Sequence, residues 1–125
     1  MFKIKRYVKL QPLSGIYIHI PFCKQACTYC NFHFSTSLQQ KAGFLQALET
    51  EIGLKDDFID RDLPVETIYF GGGTPSLLLP GELSQILESI HRHFVVATDA
   101  EITIEANPDD ITRDVVAAWM HKGIN

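Results

Sequence analysis

The chain of 125 residues has no cysteine outside one short stretch, no surplus of positive charge, and no apolar run of signal-peptide or membrane-spanning length. Each absence removes a class of function. A formal net charge of -4 argues against general nucleic-acid binding, which normally shows a basic surplus. Lys3, Lys5, Arg6 and Lys9 do cluster at the start. With no apolar run after them they read as a solvated strand or arm rather than a targeting signal, so the cytoplasm is the expected compartment. The glycine-rich stretch matches neither the phosphate-binding loop nor the dinucleotide fingerprint. What is present is enough for one domain: 46% of the residues are hydrophobic, sufficient for a packed core at this length.

All three cysteines, Cys23, Cys27 and Cys30, fall within eight consecutive residues in a C-x3-C-x2-C array. Three chemistries use closely spaced thiols. A disulfide framework fits worst, because the number is odd and such short loops strain the bond. A structural zinc site would need His19 or His33 to complete Cys3His, with a spacing unlike familiar zinc ribbons. Iron-sulfur ligation fits best, since thiolates are soft ligands for the irons of a cubane cluster. Such a cluster normally takes four cysteines. Three leave one iron open to something other than protein.

Along the chain, strand patterns alternate with helix patterns. Residues 1–14 mix charge with Val8 and Leu10 and read as a leading arm or edge strand, set apart from 15–125. Residues 15–20 alternate Ile16, Ile18 and Ile20 with Tyr17 and His19, a strand closed by Pro21. A helix is expected after a cap at Thr36 or Ser37, with Leu38, Phe44 or Leu45, Leu48 and Ile52 as its apolar stripe and Glu49, Glu51 and Lys55 in water. Asp56, Asp57, Asp60, Arg61 and Asp62 mark a solvated turn, with a metal site as the lesser alternative. A second strand over 65–70 runs into Gly71-Gly72-Gly73-Thr74-Pro75-Ser76, where bare backbone permits close approach of a ligand. A second helix starts near Pro80-Gly81 and carries Leu83, Ile86, Leu87, Ile90 and Phe94 on one face, with His91 and His93 read as solvated or dipole-complementing groups. A third strand over 101–106 ends at Glu105, beside Asn107-Pro108, at the end where parallel sheets and barrels place binding groups. As a bare strand-end carboxylate, Glu105 is equally consistent with simple exposure. The last helix, over 113–122, is expected to bury Val115 or Val116, Trp119 and Met120 and to stop at Gly123. Ile124 and Asn125 look like the opening of a fourth strand.

The segment Y-I-H-I-P-F followed by C-x3-C-x2-C, then G-G-G-T-P, E-A-N-P and K-G-I-N, resembles radical S-adenosylmethionine (SAM) enzymes, in the branch of oxygen-independent coproporphyrinogen III oxidase and its heme-chaperone relatives. The resemblance implies an α/β fold, the amino-terminal portion of a parallel partial TIM barrel with about three βα units. It implies a 4Fe-4S cluster on Cys23, Cys27 and Cys30, its open iron chelated by the amino and carboxylate groups of S-adenosylmethionine. Carried residue by residue, Tyr17, Tyr29, Gly72, Gly73, Thr74 and Glu105 would line the S-adenosylmethionine site. For Tyr17 and Tyr29, packing against strand or loop is an equal alternative.

The oxidases of this branch usually carry a further cysteine two positions after the third. This chain has Phe32 there, the pattern of the heme chaperones, so a chaperone-type relative that binds heme ranks above an authentic oxidase decarboxylating propionates to vinyls. A metal- or cluster-holding module without catalysis is the alternative from another class. The resemblance also implies a porphyrin or heme partner and an electron donor the sequence does not name. A full eight-unit barrel needs about 250 residues. The expectation is therefore a truncated portion, not catalytically complete, whose open third-strand edge favours self-association.

Overall fold

The structure is a computed structural model that describes residues 13–24 and 38–125. Among these residues three strands and three helices alternate: β1 (Ser14–Ile20), α1 (Lys41–Leu54), β2 (Val65–Gly72), α2 (Pro80–His93), β3 (Val96–Ile104) and α3 (Arg113–His121). Single-turn 3-10 helices at Pro75–Leu77 and Pro108–Asp110 follow β2 and β3. The strands form one sheet in the order β1-β2-β3, every pair parallel. Parallel neighbours need long crossovers, and the helices supply them. The result is three successive parallel strand-helix units.

Register sorts the side chains into two faces. Ile16, Ile68 and Ile102 are aligned across the sheet, as are Ile18, Phe70 and Ile104. That face is covered by the helices: Ile18, Ile68, Phe70 and Ile102 share one buried cluster with Ile52 of α1, Leu83, Ile86 and Ile90 of α2 and Trp119 of α3. Each such side chain taken out of water is worth about 1.5–3 kcal/mol. The opposite face aligns Tyr17 with Tyr69 and Tyr69 with Thr103, and His19 with Gly71. It is polar and aromatic, and no described helix covers it.

The helix ends follow local chemistry. Glu82, the third residue of α2, accepts the Leu79 N–H at 2.7 Å, half of a capping box. Thr112 accepts the Val115 N–H at 3.2 Å and caps α3. Gly123, at φ +98°, ends α3 in a Schellman turn, with Gly123 N–H on Met120 O and Ile124 N–H on Trp119 O. His93, half-buried at the end of α2, has a ring nitrogen 2.8 Å from Ser89 O in the last turn and faces Gly53 of α1, while His91 is exposed. Asn125 lies on the outer edge of β3: its N–H donates to Ile102 O, and its side chain engages Ile102 N and Ala100 O.

Four expectations need correction. Leu38 lies outside α1 and is half exposed, because the helix begins only at Lys41; the caps expected at Thr36 or Ser37 lie outside the described residues. Met120 is exposed, one residue and about 100° around α3 from the buried Trp119. β3 begins at Val96 rather than 101, its register against β2 shifting between Val65 and Thr67, so its first half pairs without the alternation that marks its second. β2 extends two residues past 70, through Gly71 and Gly72. The aspartate-rich segment 56–62 is a turn in which Asp60 accepts the Asp62 N–H. Among the described residues no group of three or more His, Cys, Asp and Glu side chains is placed to hold a metal, and no helix is long and apolar enough to cross a membrane.

Candidate functional site

β1 ends at Ile20, and Pro21-Phe22 leads directly to Cys23, which is buried. The glycine stretch after β2 lies against this exit. Gly73 N–H donates to Ile20 O and Thr74 N–H to Phe22 O, both at 2.7 Å, so the two loops are laced together beyond the last strand pair. A Cβ at Gly73 would fall 2.5 Å from Phe22 O, 2.9 Å from Ile20 O and 3.0 Å from the Cys23 sulfur. Only a residue without a side chain lets bare backbone approach that thiol. Gly72 adopts φ +108°, and a Cβ there would meet the His19 ring at 2.7 Å. The sequence thus places a soft metal ligand and an unshielded peptide stretch side by side at the carboxyl ends of β1 and β2.

The face that no described helix covers supplies the rest. Tyr17 and Tyr69 are neighbours across β1 and β2, their rings stacked with centroids 5.9 Å apart and planes 21° from parallel. Tyr17 also lies within 3.4 Å of His19 Nδ1. The Tyr69 hydroxyl donates to Glu105 Oε1 at 2.8 Å, and Glu105 N–H continues the ladder by donating to Phe70 O. The Glu105 carboxylate holds the phenol proton, which moves the Tyr69 pKa above its ordinary value. Gly71 makes room for both rings: a Cβ there would stand 2.9 Å from each.

A second carboxylate ties three loops. Asp110, after β3, accepts the Ser76 hydroxyl at 2.7 Å and pairs with Lys24, the residue after Cys23. Ser76 in turn accepts the Asn107 N–H at 3.2 Å. The Lys24 hydrogen bond, aided by that of Ser76 and opposed by burial, holds the Asp110 carboxyl below the ordinary carboxylate range. Lys41, at the start of α1, pairs with Glu82 at 2.6 Å and donates to Leu77 O at 2.8 Å. Lys24 and Lys41 flank the stretch 25–37.

Of the residues singled out from sequence, Cys23, Gly72, Gly73, Thr74 and Glu105 are placed at or beside the carboxyl ends of neighbouring strands, while Tyr17 stands mid-strand in β1 on the face that Glu105 shares. Cys27, Cys30 and Tyr29 lie outside the described residues, as do His33 and Phe32. Tyr69, Lys24 and Asp110 were not anticipated, and Gly71 and Ser76 only as members of the glycine-rich stretch. Tyr69 alternates with Ile68 and Phe70 as Tyr17 does in β1, and that pattern was available as a signal. No local pattern joins Lys24 to Asp110, which are 86 positions apart.

The chain has relatives that place it. At 39% identity over 121 residues it resembles the heme chaperone HemW of Escherichia coli, the match covering 94% of this chain and 31% of the relative. An oxygen-independent coproporphyrinogen III oxidase of Bradyrhizobium diazoefficiens is 34% identical over 114 residues, 90% of this chain and 25% of that protein. Among solved structures, coproporphyrinogen III oxidase (HemN) from Escherichia coli superposes with a TM-score of 0.82 at 32% identity, over 90% of this chain and 26% of that one. The chain therefore spans about a quarter to a third of the length of these relatives. The model of the Radical SAM superfamily matches residues 17–125, which contain every site element described above, and the chain belongs to that superfamily.

Proposed function

We propose that this chain holds a 4Fe-4S cluster through Cys23, Cys27 and Cys30 and binds S-adenosylmethionine across Tyr17, Tyr29, Gly72, Gly73, Thr74 and Glu105. The protein it represents acts in porphyrin or heme metabolism as a heme-chaperone type member of the superfamily, in the cytoplasm, with heme as a further ligand and a separate electron donor. The observation that carries the reading is Gly73 against Cys23: unshielded backbone within reach of a buried thiol, at the strand ends where parallel sheets gather ligands. The donor set is suitable, since thiolate sulfur is soft and a cluster on three cysteines keeps one iron for a small molecule.

When bound, the reduced cluster and S-adenosylmethionine supply radical chemistry, while the protein positions and shields. The chain's own residues would act as follows. Gly72, Gly73 and Thr74 present backbone to the methionine part of the cofactor without a side chain in the way. Glu105 offers a carboxylate to its ammonium group, a charge-assisted contact. Tyr17 forms an aromatic wall on the same face, and Lys24 with Asp110 fixes the exit from Cys23.

Anaerobic reconstitution with iron and sulfide tests this, followed by electron paramagnetic resonance with and without S-adenosylmethionine. The reduced spectrum is expected to change when the cofactor is added; an unchanged spectrum, or a zinc ion saturated by the thiols and a histidine, would sink the reading. The chaperone type is favoured over the oxidase by Phe32 after the third cysteine, where oxidases of the branch usually have a further cysteine. Stoichiometric heme binding and transfer is expected, and formation of vinyl product from coproporphyrinogen III would reverse the ranking.

A further inference from the structure

We propose that Tyr69 is a positioning residue for S-adenosylmethionine, aiming the Glu105 carboxylate through the bond from its hydroxyl and held in place by stacking on Tyr17 over Gly71. The inference rests on the reading above that Glu105 meets the cofactor, and it adds a residue and a device that reading does not contain. Glu105 stands just past the end of β3 and is exposed, so its side chain has many rotamers available in water. A flexible carboxylate must be ordered each time it grips a ligand, at a cost that prior ordering removes. Tyr69 provides that ordering. Its ring is set by the sheet and by Tyr17 at 5.9 Å, and its hydroxyl fixes Oε1 at 2.8 Å.

Polarity is also set. With the phenol proton donated to Glu105 and the Tyr69 pKa moved up by that bond, Tyr69 stays a donor and Glu105 an acceptor. One hydrogen bond uses only part of a carboxylate's capacity of about four lone-pair sites, so acceptor sites remain for an ammonium group. Gly71 completes the arrangement, because any side chain there would intrude on both rings.

The experiment measures S-adenosylmethionine affinity calorimetrically on anaerobically reconstituted protein for wild type, Tyr69→Phe, Glu105→Gln and the double variant. Iron content and thermal midpoint are recorded for each. Tyr69→Phe keeps the ring and its stacking and removes only the hydroxyl. It is expected to raise Kd about fivefold to tenfold, the effect of one charge-assisted hydrogen bond, with iron content and midpoint unchanged. Glu105→Gln is expected to weaken binding more, and the double variant to match Glu105→Gln alone. If Glu105→Gln weakens binding and Tyr69→Phe does not, or if the two effects add, Tyr69 does not act through Glu105 and the proposal fails while the cofactor reading stands. If Glu105→Gln leaves Kd unchanged, the assignment of Glu105 itself falls and takes the proposal with it.

Discussion

A methyl group added at Gly73 would press on the Phe22 carbonyl, the Ile20 carbonyl and the Cys23 sulfur at once, and two of the three are backbone atoms that cannot swing aside. The same methyl at Gly81, in the first turn of α2, meets nothing within 4 Å. Opposite outcomes follow from the surroundings alone. Gly73→Ala is expected to destabilise by roughly 1–3 kcal/mol through overpacking and to open the bonds from Gly73 and Thr74 to the β1 exit. Gly81→Ala is expected to be neutral or to stabilise by up to about 1 kcal/mol, since it restricts the unfolded chain. Urea midpoints of both variants check this, and iron incorporation should fall for Gly73→Ala only. Equal midpoints would mean that the laced loops tolerate a side chain, leaving the approach to Cys23 without its reason. The triple glycine was legible in the sequence as a place of close approach. Which glycine approaches what was not, because that depends on Gly73 lying beside a loop 50 positions earlier in the chain.

Elements meet at Asp110. This carboxylate joins the loop after β3 to the glycine loop through Ser76 and to the residue after Cys23 through Lys24, so one side chain ties the three strand ends together. Its side chain is only 9% exposed, and its carboxyl is held below the ordinary range chiefly by the Lys24 hydrogen bond. The folded pKa is therefore depressed relative to the unfolded value of about 3.9. A group of this sign contributes stability that is fully present above the unfolded pKa and is lost as pH falls through the folded one. We predict that Asp110→Asn lowers stability at pH 7 and that the gap to wild type stays constant down to about pH 4, then closes with further acidification. Urea midpoints against pH for the two proteins give the answer; a gap that persists unchanged at the lowest pH would show that the charge of Asp110 is irrelevant. Such a clasp leaves no periodic trace, whereas the helices and strands do. The stripe Leu83, Ile86, Leu87 and Ile90 and the alternation of Ile16, Ile18 and Ile20 were readable because burial on one face forces them. The first half of β3 was not. Val96-Ala97-Thr98-Asp99 pairs beside an irregular register and buries none of its residues, so packing imposed no alternation on it.

At the scale of the whole molecule, one sheet carries two unequal faces. Helices seal the face of Ile18, Phe70 and Ile102, while the face of Tyr17, Tyr69 and Glu105 carries, among the described residues, short contacts between neighbouring strands. In the proposed function, each strand end contributes a different piece: Cys23 after β1, Gly72 to Thr74 after β2, Glu105 after β3. A ligand touching all three would bridge the open face and bind the folded chain but not the unfolded one. Linkage then requires a stability gain of about 2.7 kcal/mol at a hundred times Kd. For a chain of this size that corresponds to a rise in thermal midpoint on the order of 10 °C. Scanning calorimetry of cluster-loaded protein across a series of S-adenosylmethionine concentrations should show the midpoint climbing with the logarithm of concentration above Kd. Glu105→Gln should shift that climb to higher concentration without changing the midpoint in the absence of the cofactor, because Glu105 is exposed and its loss uncovers no core. A midpoint indifferent to the cofactor in fully loaded protein would mean that nothing spans the three strand ends, and the polar face would then need another occupant.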